Sequence, residues 1–161
     1  MKLFIDLETY SSESIKDAGV HRYVEADDFE ILLLAYAVDD DPVRVIDLTG
    51  RRMVLTPEDQ ERAMEGARVV SMITDPGVTK VAHNCAFERA CLSKWLKRPM
   101  PIEEWEDTMI RAAYNGLPLG LDACGAALQL PEQKIKEGTS LINYFCRPCK
   151  PTITNGGRTR N

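Results

Sequence analysis

The sequence is poor in histidine: His21 and His83 are the only two among 161 residues. Its cysteines, Cys85, Cys91, Cys124, Cys146 and Cys149, are odd in number and irregularly spaced, and only the last two form a C-x-x-C pair. A structural zinc takes about four Cys or His ligands. These cysteines therefore read as free thiols in core or loop positions of a protein from a reducing compartment. No apolar run approaches the roughly 20 residues of a membrane span, and MKLFIDLETY has no leader-peptide pattern, so a cytosolic chain without membrane partners is expected. Positive charge is also short. Against 25 Asp and Glu stand 20 Lys and Arg, a net −5. That balance argues against a protein that lives by wrapping duplex DNA, where Lys and Arg on phosphates drive binding. It leaves room for an enzyme that draws a strand end into a metal site, because cations there neutralise both carboxylates and phosphate. There is no internal repeat.

What is present suits one folded domain. Apolar residues make up 44% and charged residues 28%, enough for a real core. Residues 2 to 8 alternate like a strand. Residues 11 to 29 are polar and read as a long loop. Residues 30 to 38, EILLLAYAV, form an apolar strand; Asp39-Asp40-Asp41-Pro42 is turn chemistry, and Val43 to Leu48 read as a further strand. Thr56-Pro57-Glu58-Asp59 opens a helix to about Ile73. A short strand over 78 to 83 and a helix from about Asn84 to Leu96 follow. Shorter helices are expected around 108–115, 121–128 and 138–146. The order predicts an α/β fold with a mixed sheet, three antiparallel strands and then parallel ones, flanked by helices.

Two clusters carry chemistry. A period of two puts Phe4, Asp6 and Glu8 on one face of the first strand, with the two acids about 7 Å apart. If the strand is central, two unpaired carboxylates there raise each other's pKa, and a divalent cation removes that penalty. Carboxylate oxygens suit Mg²⁺ or Mn²⁺. Taken alone, the pair reads better as the wet face of an edge strand. The second cluster is VAHNCAFERACL, residues 81 to 92. Asn84 suits a helix cap, and Glu88 lies one turn further on the same side. Taken alone, Glu88 and Arg89 read better as solvated helix-surface charges.

Together, D-x-E-T on the first strand and N-x-x-F-acid at the opening of a later helix resemble the first two motifs of the DEDD exonucleases. The stretches FIDLETYSSESIKDAGVHRYVEADDFEILLLAYAV, VTKVAHNCAFERACLS, AAYNGLPLGLDACGAALQL and LINYFCRPCKPTITNGGRTRN resemble the N-terminal exonuclease region of phage and prophage family A DNA polymerases. This resemblance implies the RNase H-like fold. It implies a 3′→5′ proofreading exonuclease that uses two Mg²⁺ or Mn²⁺ ions and releases nucleoside 5′-monophosphates. It also implies a single-stranded or frayed DNA 3′ end as substrate, a polymerase domain in the same parent chain, and the cytoplasm of a bacterial or phage-infected cell. Asp6 matches the family's first catalytic aspartate and Glu8 the glutamate beside it. Glu88 stands where the wider family usually has Asp. Asn84, Phe87 and Thr9 match positioning residues of these motifs. Asp107, in Asp107-Thr108-Met109, resembles an Asp-Thr pair that follows the second motif and reads as a supporting acid.

The family's third motif, a Tyr or His with a final metal-binding Asp, is not matched. No Asp follows Asp122, and Glu132, Glu137 and Tyr144 sit in no corresponding pattern. The expectation is a fragment that stops before that motif and is weak or inactive. Residues 1–149 would form the exonuclease-like domain and 150–161 a polar basic tail or linker, with Arg158 and Arg160 mobile or touching phosphate. Tyr10, His21, Tyr23 and Phe87 are candidates for stacking on the strand, or else for packing. Two alternatives remain open. One is a catalytically inactive DNA-end-binding or scaffold module, and the other an RNase H-type endonuclease.

Overall fold

The structure is a computed structural model that describes residues 1–49, 56–131, 135, 137–157 and 159–160. Arg158 and Glu132 lie outside the described residues.

The alternation in the first strand, β1 (Lys2–Tyr10), is realised as burial: Leu3, Ile5 and Leu7 are buried, Phe4 and Asp6 are exposed, and Glu8 is half-buried. The turn chemistry at Asp39 joins β2 (Glu30–Val38) to β3 (Arg44–Asp47), and the two pair antiparallel with Leu34 opposite Ile46. The Asp39 amide donates to the Lys2 carbonyl at 2.9 Å. The end of β2 therefore meets the start of β1, and these strands run in opposite directions. On its other side β1 pairs in parallel with β4 (Thr79–Ala82), and β4 pairs in parallel with β5 (Trp105–Asp107). The strand order is β3-β2-β1-β4-β5, a mixed α/β sheet as expected.

Helix α2 (Pro57–Thr74) begins as its sequence requires: the Thr56 side chain accepts from the Asp59 amide at 3.2 Å, the Asp59 carboxylate accepts from the Thr56 amide at 3.3 Å, and Pro57 takes the first turn. Its Val69 and Ile73 are buried. Helix α3 (Ala86–Leu96) buries Glu88, Cys91 and Leu92. Three shorter helices, α4 (Thr108–Tyr114), α5 (Leu121–Ala127) and α6 (Gly138–Phe145), sit within a residue of their expected spans.

Here α1 is the helix Ile15–Glu25, inside the stretch read from sequence as a loop. It buries only Tyr23 and Val24, and Gly19 interrupts it with a left-handed φ of 76°. No 3.6-residue apolar stripe advertises such a helix. Strand β5 was not expected either, since three residues are too few to show a period. Asn84 is not the cap of α3. Cys85 holds that position, and Asn84 precedes it in a tight turn at φ 68°.

The chain forms two units. The first, Met1–Leu7 with Ile31–Thr108, holds β3, β4, β5, α2, α3 and most of β1 and β2. A buried lysine is part of it. The Lys80 ammonium donates to the Glu104 carboxylate at 2.6 Å and to the carbonyls of Asp75 and Val78 at 2.9 and 3.1 Å.

The second unit, Glu8–Glu30 with Met109–Asn161, holds the end of β1, α1, and the helices after Thr108. Thr9 and Tyr23 share a hydroxyl hydrogen bond at 2.8 Å, and the Ser11 hydroxyl donates to the Tyr23 carbonyl. The stretch read as a polar tail is tied down in this unit where it is described. The Cys149 amide donates to the Thr159 carbonyl at 2.8 Å. Arg160 lies over the Tyr10 ring at 4.1 Å and pairs with Glu30 at 2.7 Å. Among the described residues no helix is long and apolar enough to cross a membrane.

Candidate active site

In the first unit β1, β4 and β5 run in parallel, and sites in such sheets form at the carboxyl ends of the strands. Strand β4 ends at Ala82, and His83, Asn84 and Cys85 turn the chain into α3. Asp107, at the end of β5, locks that turn. Its two carboxylate oxygens each accept one backbone N–H, from Asn84 and from Cys85, both at 3.0 Å. The left-handed Asn84 is thereby held, in a conformation Asn tolerates better than most residues. Asp107 thus fixes the start of the helix that carries Glu88.

Glu88 is 4% exposed, not a solvated surface charge. Its Oε2 is buried without a hydrogen-bond partner among the described residues. Burial pushes its carboxyl up to about 8, and the negative charges of Asp6 and then Asp107 push in the same direction. The environment penalises a negative charge on Glu88, and a cation between Glu88 and Asp6 would reverse that penalty. Asp6 is on the exposed face of β1. Asn84 is exposed and Phe87 half-buried.

The residues fit a divalent cation in two respects. The donors are carboxylate oxygens, the ligand type Mg²⁺ and Mn²⁺ prefer. One of those oxygens is buried and orphaned. Among the described residues, however, no group of three or more His, Cys, Asp or Glu converges to hold a metal.

In the second unit, Glu8 is half-buried and accepts from the Cys146 thiol at 3.5 Å. Burial, then the Glu8 charge, pushes that thiol up to about 11. Thr9 is buried with its hydroxyl on Tyr23. Of the stacking candidates, Tyr10 and Tyr23 are core residues, 3% and 7% exposed. Arg160 covers one face of Tyr10, and Phe29 meets Tyr23 edge-on at 5.9 Å. Base stacking needs an open ring face, which neither tyrosine presents. His21 is exposed on α1.

Sequence reasoning passed over His83, Thr108 and Cys146. The His83 Nδ1 and Thr108 Oγ1 lie 3.0 Å apart. Thr108 was visible only as the partner of Asp107 in a dipeptide, and nothing local marks Cys146 as a neighbour of Glu8.

No family model matches the chain. Over 159 residues it is 45% identical to the DNA polymerase of Bacillus phage SP02, a match that takes in 99% of this chain and 23% of that polymerase. The chain thus spans about a quarter of the relative's length. Among solved structures it is similar to the apo form of a nuclease, with a TM-score of 0.57 and 18% identity over 86% of this chain and 56% of the other. Brucella melitensis NrnC bound to pGG superposes with a TM-score of 0.55 and 18% identity, over 84% of this chain and 55% of that one. The same protein with bound Mg²⁺ gives 0.53 and 18% identity, over 84% and 57%. At these identities the likeness is one of fold: this chain has the fold of those nucleases.

Proposed function

We propose that the chain is a 3′→5′ exonuclease domain of a polymerase-type protein, acting on the 3′ end of single-stranded or frayed DNA. The observation that carries this reading is Glu88, a buried carboxylate with an orphaned oxygen that feels the charge of Asp6 at the ends of parallel strands. Support comes from the phage polymerase relative and from a nuclease of the same fold that binds Mg²⁺.

Asp6 and Glu88 would hold the cation; for Glu8 the exonuclease resemblance by itself implies a metal-binding role. Bound Mg²⁺ or Mn²⁺ supplies a water of lowered pKa and charge stabilisation for the leaving oxygen. Asp107 holds the β4–α3 turn through the Asn84 and Cys85 amides and so fixes the start of the helix that carries Glu88. Asn84, in that turn, and Phe87, in the first turn of α3, would line the path of the terminal nucleotide. In the reaction a water oxygen bonds to the terminal phosphorus, the P–O3′ bond breaks, and a proton passes to the departing 3′ oxygen. The product is a nucleoside 5′-monophosphate.

One observation favours a second reading, a DNA-end-binding module without turnover: no three metal ligands converge among the described residues. The deciding experiment is degradation of a 5′-labelled single-stranded oligonucleotide with Mg²⁺ or Mn²⁺, beside Asp6→Ala and with a circular strand as control. A descending ladder that needs Asp6 and a free end supports the exonuclease. Cleavage of the circle sinks it in favour of an endonuclease. End binding without a ladder supports the module.

A further inference from the structure

The later part of the second unit has almost no core of its own. Among the described residues from Met109 to Arg160, only Ala112 and Cys124 are buried. Helix α6 is the extreme case. Its sequence, GTSLINYF, carries no charge, and Leu141, Tyr144 and Phe145 recur at the spacings that share one helix face. None of its residues is buried. Those three are 57%, 52% and 50% exposed, and the rings of Tyr144 and Phe145 meet edge-on at 4.8 Å. Isolated helices shorter than about 12–15 residues are marginal in water, and short ones are held by packing an apolar face. Helix α6 spans eight residues and turns that face to solvent.

Three kinds of cover can be weighed. A DNA strand could stack on the two rings, but its phosphates call for Lys or Arg, and α6 has neither. A second copy is disfavoured by area: the three half-exposed side chains offer roughly 300 Å², where a stable interface between separate chains takes about 800 Å² from each partner. A segment of the same polypeptide docks on a smaller area, because linkage raises its effective concentration to about millimolar. The match to the phage polymerase takes in 23% of that protein, so most of the relative is polypeptide joined to the matched segment.

We infer that the Leu141–Tyr144–Phe145 face of α6 docks into an apolar groove on the polymerase portion of a longer parent chain, as an amphipathic helix enters a groove by its i, i+3 and i+4 side chains. This rests on the polymerase-type reading and concerns residues other than Asp6 and Glu88.

The test compares the 161-residue chain with the phage SP02 polymerase in which it replaces the matched segment. Amide hydrogen exchange at residues 141–146 should be at least about tenfold slower in the full-length protein. Leu141→Asp with Phe145→Asp should abolish that protection and leave the urea midpoint of the isolated chain unchanged. Equal exchange in the two proteins overturns the inference. So does a double variant that unfolds the isolated chain, since the face would then pack within it. Protection that rises with the concentration of the isolated chain assigns the face to a second copy, and protection by a single-stranded oligonucleotide assigns it to DNA; either overturns the inference. The oligonucleotide ladder is read on the same full-length protein. Protection of α6 without a ladder refutes the exonuclease and supports the docking face, whereas a ladder without protection refutes the docking face alone.

Discussion

Replacing Glu88 by Gln keeps the shape of the side chain and removes its titration. In the folded chain the Glu88 carboxyl is raised to about 8 from an ordinary value of 4.5, first by burial and then by Asp6 and Asp107. A raised acid favours the protonated form. Stability from this group is therefore complete below about pH 4.5 and is lost as the pH climbs through 8, because the unfolded chain ionises freely while the folded chain resists. The ceiling is about 5 kcal/mol, from 1.36 kcal/mol per pKa unit over the difference between the two values. Denaturant unfolding of wild type and Glu88→Gln, in chelator from pH 4.5 to 8.5, measures it. The wild-type chain should lose at least about 2 kcal/mol more than the variant across that window. The buried amide shifts the variant's whole curve without bending it, so the comparison rests on slopes. Adding Mg²⁺ or Mn²⁺ should flatten the wild-type slope and leave the variant's unchanged. Parallel curves in chelator would refute the argument that Glu88 carries an uncompensated buried charge.

Three further outcomes follow from the same geometry. Asp107→Asn removes one acceptor from the pair of backbone amides at Asn84 and Cys85 and should cost about 2 kcal/mol in urea unfolding, with faster hydrogen exchange at the Cys85 amide; a loss below about 0.5 kcal/mol would show that the turn holds without it. Lys80→Met leaves the Glu104 carboxylate and two carbonyls without their buried cation and should cost about 3 kcal/mol; unchanged stability would mean that the pair contributes nothing net. Burial pushes the thiols of Cys85 and Cys91 up to about 11 and 12, so at pH 8 only about one in a thousand or fewer is thiolate; iodoacetamide should label both slowly in the native chain and quickly in urea, and rapid native labelling of Cys91 would contradict its complete burial.

The elements legible beforehand are those whose causes are local. The alternation of Leu3, Ile5 and Leu7 with Phe4 and Asp6 makes β1 and puts the acid on the open face. Thr56, Pro57 and Asp59 start α2 within one turn of chain. The D-x-E and N-x-x-F-acid patterns marked Asp6 and Glu88 because their spacing needs only a strand and a helix opening. Helix α1 escaped notice because two buried residues and a kink at Gly19 leave no period, and β5 because three residues cannot show one.

Tertiary structure decided the rest. Whether Glu88 was a wet surface charge or a buried acid depended on what packs over it, and the fold made it a buried one with an orphaned oxygen. Asp107 supports its turn from 23 positions away, and Cys146 meets Glu8 across 138. Tyr10 and Tyr23 turned from candidate stacking platforms into core because Arg160, Thr9 and Phe29 occupy their surroundings. Alternation and capping are short-range consequences of backbone geometry, so the residues themselves determine them. Burial and charge coupling depend on neighbours distant in sequence, and only the folded chain selects those.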